Sequence, residues 1–239
     1  MFSASFGLFF ANILKIPQST SWTTVFSIVG SGLVSGGVNF KKFALIIPFW
    51  ILLPVVSYFL TLFVHKIIYP PKFNNLWLYE KFFANDKALK KLSVIASCYV
   101  AFAIGSNNVA NAVGPLVASG IIGNSTLGLF VVGLIFIVGA GIIGENTMCT
   151  VGREVVPFGT ITASAVNFVT ATLLILASIM GIPQSLVQLN AASVFAISHN
   201  KNGFYQTVSH KTTKKMFFVW LVSPTIAFLS SYFLTGWIK

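Results

Sequence analysis

Apolar residues run through this chain in long blocks broken by short polar joints, and nowhere do they alternate with the two-residue period of a strand. Phe43 to Ile67, Leu127 to Gly144, Phe158 to Met180 and Met216 to Trp237 each approach or reach the roughly 17 to 25 residues a helix needs to cross a bilayer. Met1 to Leu14, Pro17 to Val38, Leu92 to Gly105, Val109 to Ile122 and Pro183 to Ile197 are apolar but shorter. The pieces beside Gly105 and Pro183 are too short to cross alone, and predict broken or re-entrant helices. The pattern predicts an all-α integral membrane protein and excludes a β-barrel, which needs repeated alternating ten-residue strands.

Composition agrees. Of 239 residues, 56% are hydrophobic and only 8% are charged, whereas a soluble domain carries about 25% charged residues. The net charge of +11 does not signal nucleic acid, because the basic residues lie between apolar blocks and form no stripe on a polar domain. Tyr69 to Lys91, the longest polar stretch, holds most of a lysine cluster that begins at Lys66, against Glu80 and Asp86 alone, and is expected in the cytoplasm. Residues 1–11 lack the basic start of a signal peptide, so the chain is expected to begin inside a membrane helix. Cys98 and Cys149 suit neither a disulfide framework nor a metal cluster and are expected as small buried residues.

The chain repeats itself. Ile16-Pro17-Gln18-Ser19 recurs as Ile182-Pro183-Gln184-Ser185, Trp50 with Pro54 recurs as Trp220 with Pro224, and Ser57-Tyr58-Phe59-Leu60-Thr61 recurs as Ser231-Tyr232-Phe233-Leu234-Thr235. The spacing drifts by about one helical turn between matches, which keeps the helix faces aligned. We therefore divide the chain into 1–68 as the end of a first repeat, 69–91 as a cytoplasmic linker and 92–239 as a second repeat. Lys41 and Lys42 are then outside, while the corresponding joint with Lys201, Lys211, Lys214 and Lys215 is cytoplasmic, as in an inverted repeat.

Gly105-Ser106-Asn107-Asn108-Val109-Ala110-Asn111-Ala112-Val113-Gly114-Pro115 sets three amides in apolar surroundings, where they need partners from backbone, water or solute. Gly105 permits a break that would free helix N-terminal N–H groups. Pro17 and Pro183 are expected in the first turns of half-helices that present Ser19, Thr20, Ser21 and Ser185, and hydroxyls with free N–H groups at helix starts suit an anion. Helix packing by small polar residues is the alternative reading.

This string and the two Ile-Pro-Gln-Ser segments resemble the inorganic phosphate transporter (PiT) family, whose pattern is Gly-Ala-Asn-Asp-Val-Ala-Asn with Pro-x-Ser-Thr-Thr in each of two inverted repeats. The Asn-Asn version, with the run from Gly181 to Gly203 and the ending from Val219 to Lys239, is more similar to its sulfate-permease branch. The resemblance implies an inverted-repeat transporter with broken helices, multi-pass in the plasma membrane. Its substrate would be sulfate or, alternatively, phosphate, moved by symport with H+ or Na+, without any further cofactor.

It also implies site residues. Asn107, Asn108 and Asn111 match the asparagine motif, Ser19, Thr20 and Ser21 match copy one, and Ser185 matches copy two. Leu186 and Val187 replace hydroxyls there, and Gln188 is the next polar group. Where the family often has Glu-Thr before a Gly, this chain reads Cys149-Thr150-Val151-Gly152, with Glu145 one turn earlier. Thr150 and Glu145, with Asn108, are thus the coupling-ion candidates. Copy one starts too late to hold an asparagine string of its own, so a missing N-terminal half or a homodimer is expected to complete the site.

No hydrolase or metal centre competes, since Glu80, Asp86, Glu145, Glu154, His65, His199 and His210 form no metal-ligand spacing or nucleophile–base pair. His199 ends an apolar segment and reads as interfacial. A membrane subunit whose polar string only packs helices is the rival from another class.

Overall fold

The computed structural model describes residues 2–13, 18–83, 85–154 and 159–238, with side chains except at 10–13, 83, 143–154 and 212. The described residues form α1 (Phe2–Ile13), α2 (Thr20–Ser35), α3 (Phe40–Ile68), α4 (Leu76–Leu78), α5 (Asp86–Ile104), α6 (Ala110–Ala118), α7 (Ser125–Glu154), α8 (Thr160–Ile179), α9 (Leu186–Asn202), α10 (Phe204–Ser209) and α11 (Lys211–Ile238). Among the described residues, five stretches are long and apolar enough to cross a membrane: Phe40–Ile68, Asp86–Ala118, Ser125–Ile142, Thr160–Ile179 and Thr213–Ile238. This is a multi-pass membrane protein.

Half of the α8 window is buried inside the protein, against 6% of the α7 window. So α8 is the central span, while α7 turns most of its apolar surface outward. Ala103 of α5, Ala171, Leu173 and Leu174 of α8 and Leu189 of α9 make the main core, with Leu53 and Val56 of α3 packed against it. Thr170 and Ser178 satisfy their hydroxyls on the Val166 and Leu174 carbonyls of their own helix, which removes the cost of burying them.

The two helices that follow the Pro-Gln-Ser segments are too short to span. α2 has 16 residues and α9 has 17, about 25 Å of rise each, against a hydrocarbon core of about 30 Å. Under the sequence matches α2 corresponds to α9 and α3 to α11, and the packing is crossed, with α2 lying on α11 and α9 on α3. Trp50 of α3 donates its indole N–H to the Pro183 carbonyl at 2.6 Å, and Ser57 and Thr61 bond Ser193 of α9 at 2.9 and 2.7 Å.

Three expectations change. The chain does not break at Gly105: α5 runs through a π-helical turn at Gly105–Val109 into α6, making one 33-residue helical span in place of two half-helices. Gly105 has φ −56° and ψ −46°, ordinary helical values, so the glycine is not used as a break. Pro183 precedes the cap of α9 instead of sitting in its first turn, and Pro17 lies outside the described residues. Cys98 is exposed on α5, not buried, while Cys149 is outside the described side chains.

Asn75 ends α3 from the linker. Its amide donates to the carbonyls of Ile67, Ile68 and Pro70 at 2.8, 3.2 and 3.2 Å, supplying partners for a helix C-terminus. Tyr79 adds a bond to the Ile68 carbonyl at 2.6 Å, and burial, with Tyr69 beside it, raises its phenol pKa above the usual value, keeping it a donor. For topology the useful positions are therefore the exposed Asn74, Asn202 and Lys41. Single cysteines at Asn74 and Asn202 are expected to react with an impermeant thiol reagent from one face and a cysteine at Lys41 from the other. Labelling of Asn74 and Asn202 from opposite faces would overturn the inverted reading.

Candidate functional site

The two short helices begin alike. Ser19 caps α2 by accepting from the Trp22 N–H at 3.1 Å, and Ser185 caps α9 by accepting from the Gln188 N–H at 3.3 Å. Both take the third N–H from an extended backbone, with φ/ψ of −77°/107° and −90°/113°. Because each hydroxyl is used here as an acceptor, its own proton remains to be donated.

The starts meet. Ser21, in the first turn of α2, donates its hydroxyl to the Gln184 carbonyl just ahead of α9 at 2.9 Å. Two positive helix-dipole ends thus converge where neither has an acidic side chain in its first turn. The π turn and the start of α6 join them: Asn111 of α6 donates to Ser21 Oγ at 3.0 Å, and Asn107 of the π turn donates to Ser178 Oγ at 3.1 Å and to the Ile182 carbonyl at 3.2 Å.

Beside this junction lies a cavity of about 650 Å³, whose polar lining comes from Thr24, Lys42, Ser106, Asn107, Asn111 and Ser178. It holds amides, hydroxyls and one ammonium, and no carboxylate among the lining residues. The site therefore favours negative charge.

The structure gathers Ser19, Ser21, Ser185, Asn107 and Asn111. Thr20 is half-buried in the first turn of α2. Asn108 buries Oδ1 without a partner. Gln188 goes elsewhere, to a second cavity between α3, α9 and α11. Glu145 and Thr150 fall in α7, and their side chains are outside the described residues.

Four residues join the site that sequence reasoning passed over: Gln18, Gln184, Ser178 and Lys42. Gln184 is 0% exposed, and neither its Oε1 nor its Nε2 has a partner. Gln18 donates to Thr23 at 2.8 Å and also to Ser223, but its Oε1 is unpartnered, as is Asn107 Oδ1. A buried polar atom left unpaired costs about 1–3 kcal/mol, so this cluster marks where a solute would restore lost bonds. The signal for the glutamines was their recurrence before each capping serine.

A family model described as the phosphate transporter family matches residues 1–231. The chain belongs to that family. It is 35% identical to the sulfate permease CysP of Bacillus subtilis, over 98% of this chain and 64% of that protein. It is 22% identical to a putative phosphate permease of Thermococcus kodakarensis, over 98% of this chain and 76% of the relative. Similarity to the human sodium-dependent phosphate transporter 2 is 29% identity over 59% of this chain and 23% of that protein. The solved sodium-dependent phosphate transporter shares the fold of this family member, with a TM-score of 0.81 at 21% identity over 100% of this chain and 78% of that one.

Proposed function

We propose that this chain carries the substrate site of an inorganic-oxyanion permease and that its substrate is sulfate. The observation that carries the reading is the meeting of two serine-capped helix starts beside a cavity lined by amides, hydroxyls and Lys42. Ser19 and Ser185 donate to the oxyanion, Asn107 and Asn111 hold the π turn against both helices, and Lys42 draws the anion in. With Lys41 and Lys42 outside, this cavity opens outward, and residues 1–68 and 92–239 act as the two inverted halves.

Sulfate is favoured by Asn108. At neutral pH sulfate carries no proton and only accepts hydrogen bonds, whereas hydrogen phosphate also donates one and gains from a carboxylate. The family pattern has Asp where this chain has Asn108, an uncharged amide with two N–H donors. Its similarity to a protein named as a sulfate permease points the same way. Loss of that carboxylate also removes a sodium ligand, so we take the coupling ion to be a proton.

Competition for uptake in proteoliposomes tests this. Unlabelled sulfate is expected to displace labelled sulfate at least tenfold better than phosphate does, and Asn108→Asp to narrow that ratio. Equal displacement, unchanged in Asn108→Asp, would favour phosphate and sink the selectivity argument. Lack of any anion uptake would favour the helix-packing subunit.

A further inference from the structure

Away from the anion site, α5 presents a second pattern to its surroundings. Ala96 and Ala103 are 0% exposed, and Ala103 packs in the core with Ala171 and Leu174 of α8, so one face of the helix is fixed against the protein. At about 100° per residue, Lys87, Lys91, Val94, Cys98 and Phe102 lie within an arc of about 80° on the opposite face, with Lys90 at its edge. All six are exposed, Val94 at 63% and Phe102 at 68%.

One face of one helix therefore carries cations at its start and outward apolar surface beyond them. From Lys91 to Phe102 the helix rises about 16 Å, close to the roughly 15 Å of one leaflet's hydrocarbon. Asp86, the acid nearest in sequence, stands about 120° from the middle of the arc, so no carboxylate shares the face. In the linker that precedes α5, Phe73 and Trp77 are exposed, as aromatic residues are at head-group level.

The arrangement occurs twice. Lys87-Ala88-Leu89-Lys90-Lys91 opens α5 and Lys211-Thr212-Thr213-Lys214-Lys215 opens α11 with the same lysine spacing. On α11 the exposed Phe218 and Leu221 lie on the side of the lysines, while Met216 and Trp220 are buried on the other. In the sequence matches α11 corresponds to α3 and not to α5, so the shared spacing is not a product of the repeat.

We propose that this face of α5 binds an anionic glycerophospholipid, its phosphate held by Lys87, Lys90 and Lys91 and an acyl chain lying along Val94, Cys98 and Phe102. In the inverted topology, on which only the choice of leaflet depends, the lipid belongs to the cytoplasmic side. Lysines beside the cytoplasmic end of a membrane helix attract anionic head groups. Each contributes about a five-fold preference, so three give about a hundredfold before salt screens them.

Cys98 supplies the probe. A fluorophore on Cys98 in the Cys149→Ser protein sits about 10 Å along the helix from Lys91, at the depth of an acyl chain. In bilayers of phosphatidylcholine, phosphatidylglycerol with a nitroxide on its acyl chain is expected to quench this fluorophore at a roughly tenfold lower mole fraction than nitroxide-labelled phosphatidylcholine does. The K87Q/K90Q/K91Q protein should lose that preference, and the K87R/K90R/K91R protein should keep it. Salt at about 1 M, which screens charges within about 3 Å, should abolish it in the parent. Equal quenching by the two lipids in the parent, or a preference that survives the glutamine substitutions or the salt, overturns the proposal. Absence of quenching by either lipid would assign the face to a second polypeptide and overturn it too. If the glutamine protein does not fold, the salt titration of the parent still decides.

Discussion

Gly30→Ala is expected to destabilise the protein although alanine is the better helix former. A Cβ at Gly30 would stand 2.4 Å from the Phe228 carbonyl oxygen and 3.2 Å from its carbon, both backbone atoms of α11. Alanine gains about 1 kcal/mol in helix propensity over glycine. Overpacking against backbone costs about 1–3 kcal/mol and at times more, and here the α2–α11 contact must open to admit the methyl. The clash wins, and Gly30→Leu is expected to leave little folded protein. Gly133→Ala in α7 is the control, because nothing lies within 4 Å of its added Cβ. Thermal unfolding in detergent should show Gly30→Ala below and Gly133→Ala at or above the parent. Equal midpoints for the two would mean that α2 and α11 do not approach this closely.

Removing both capping hydroxyls is expected to cost far more uptake affinity than removing either. A hydrogen bond to a charged group contributes roughly 1.5–3 kcal/mol, so Ser19→Ala or Ser185→Ala should weaken apparent affinity about tenfold or more. The two sites lie on different helices and should combine to about a hundredfold. An alanine also removes an N-cap, at about 1 kcal/mol of helix stability, whereas glycine at that position costs only a few tenths. Ser→Gly therefore separates the roles. Loss of affinity in both the alanine and glycine proteins identifies the hydroxyl as the anion's donor, and recovery in the glycine proteins would reduce both serines to helix caps.

Much of the architecture was readable because lipid is a strict solvent. A helix that crosses it must be apolar along its whole length, so the spans at Phe40–Ile68 and Thr160–Ile179 announce themselves within a few residues. That a helix starts near each Pro-Gln-Ser was readable too, from local order alone, but Pro183 was expected in the first turn and the structure makes Ser185 the cap. Gly105 misled because glycine permits a break without requiring one. Whether it is used depends on what packs nearby, and here Asn107 is tied to Ser178 and Ile182, which holds the turn in helical form.

By itself the sequence determined the membrane class, the recurrence of one motif in two halves, and the residue types gathered at the helix starts, since all three follow from local composition and order. Only the tertiary structure decided which of those residues meet. It brought Ser21 to Gln184 across 163 positions of chain, sent Gln188 into a separate trough, and buried the Gln184 amide without a partner. The physical reason is that side-chain periodicity reports the face a residue takes on its own helix. The neighbour it finds depends on crossed packing of α2 on α11 and α9 on α3, which is set by long-range contacts that no local pattern encodes.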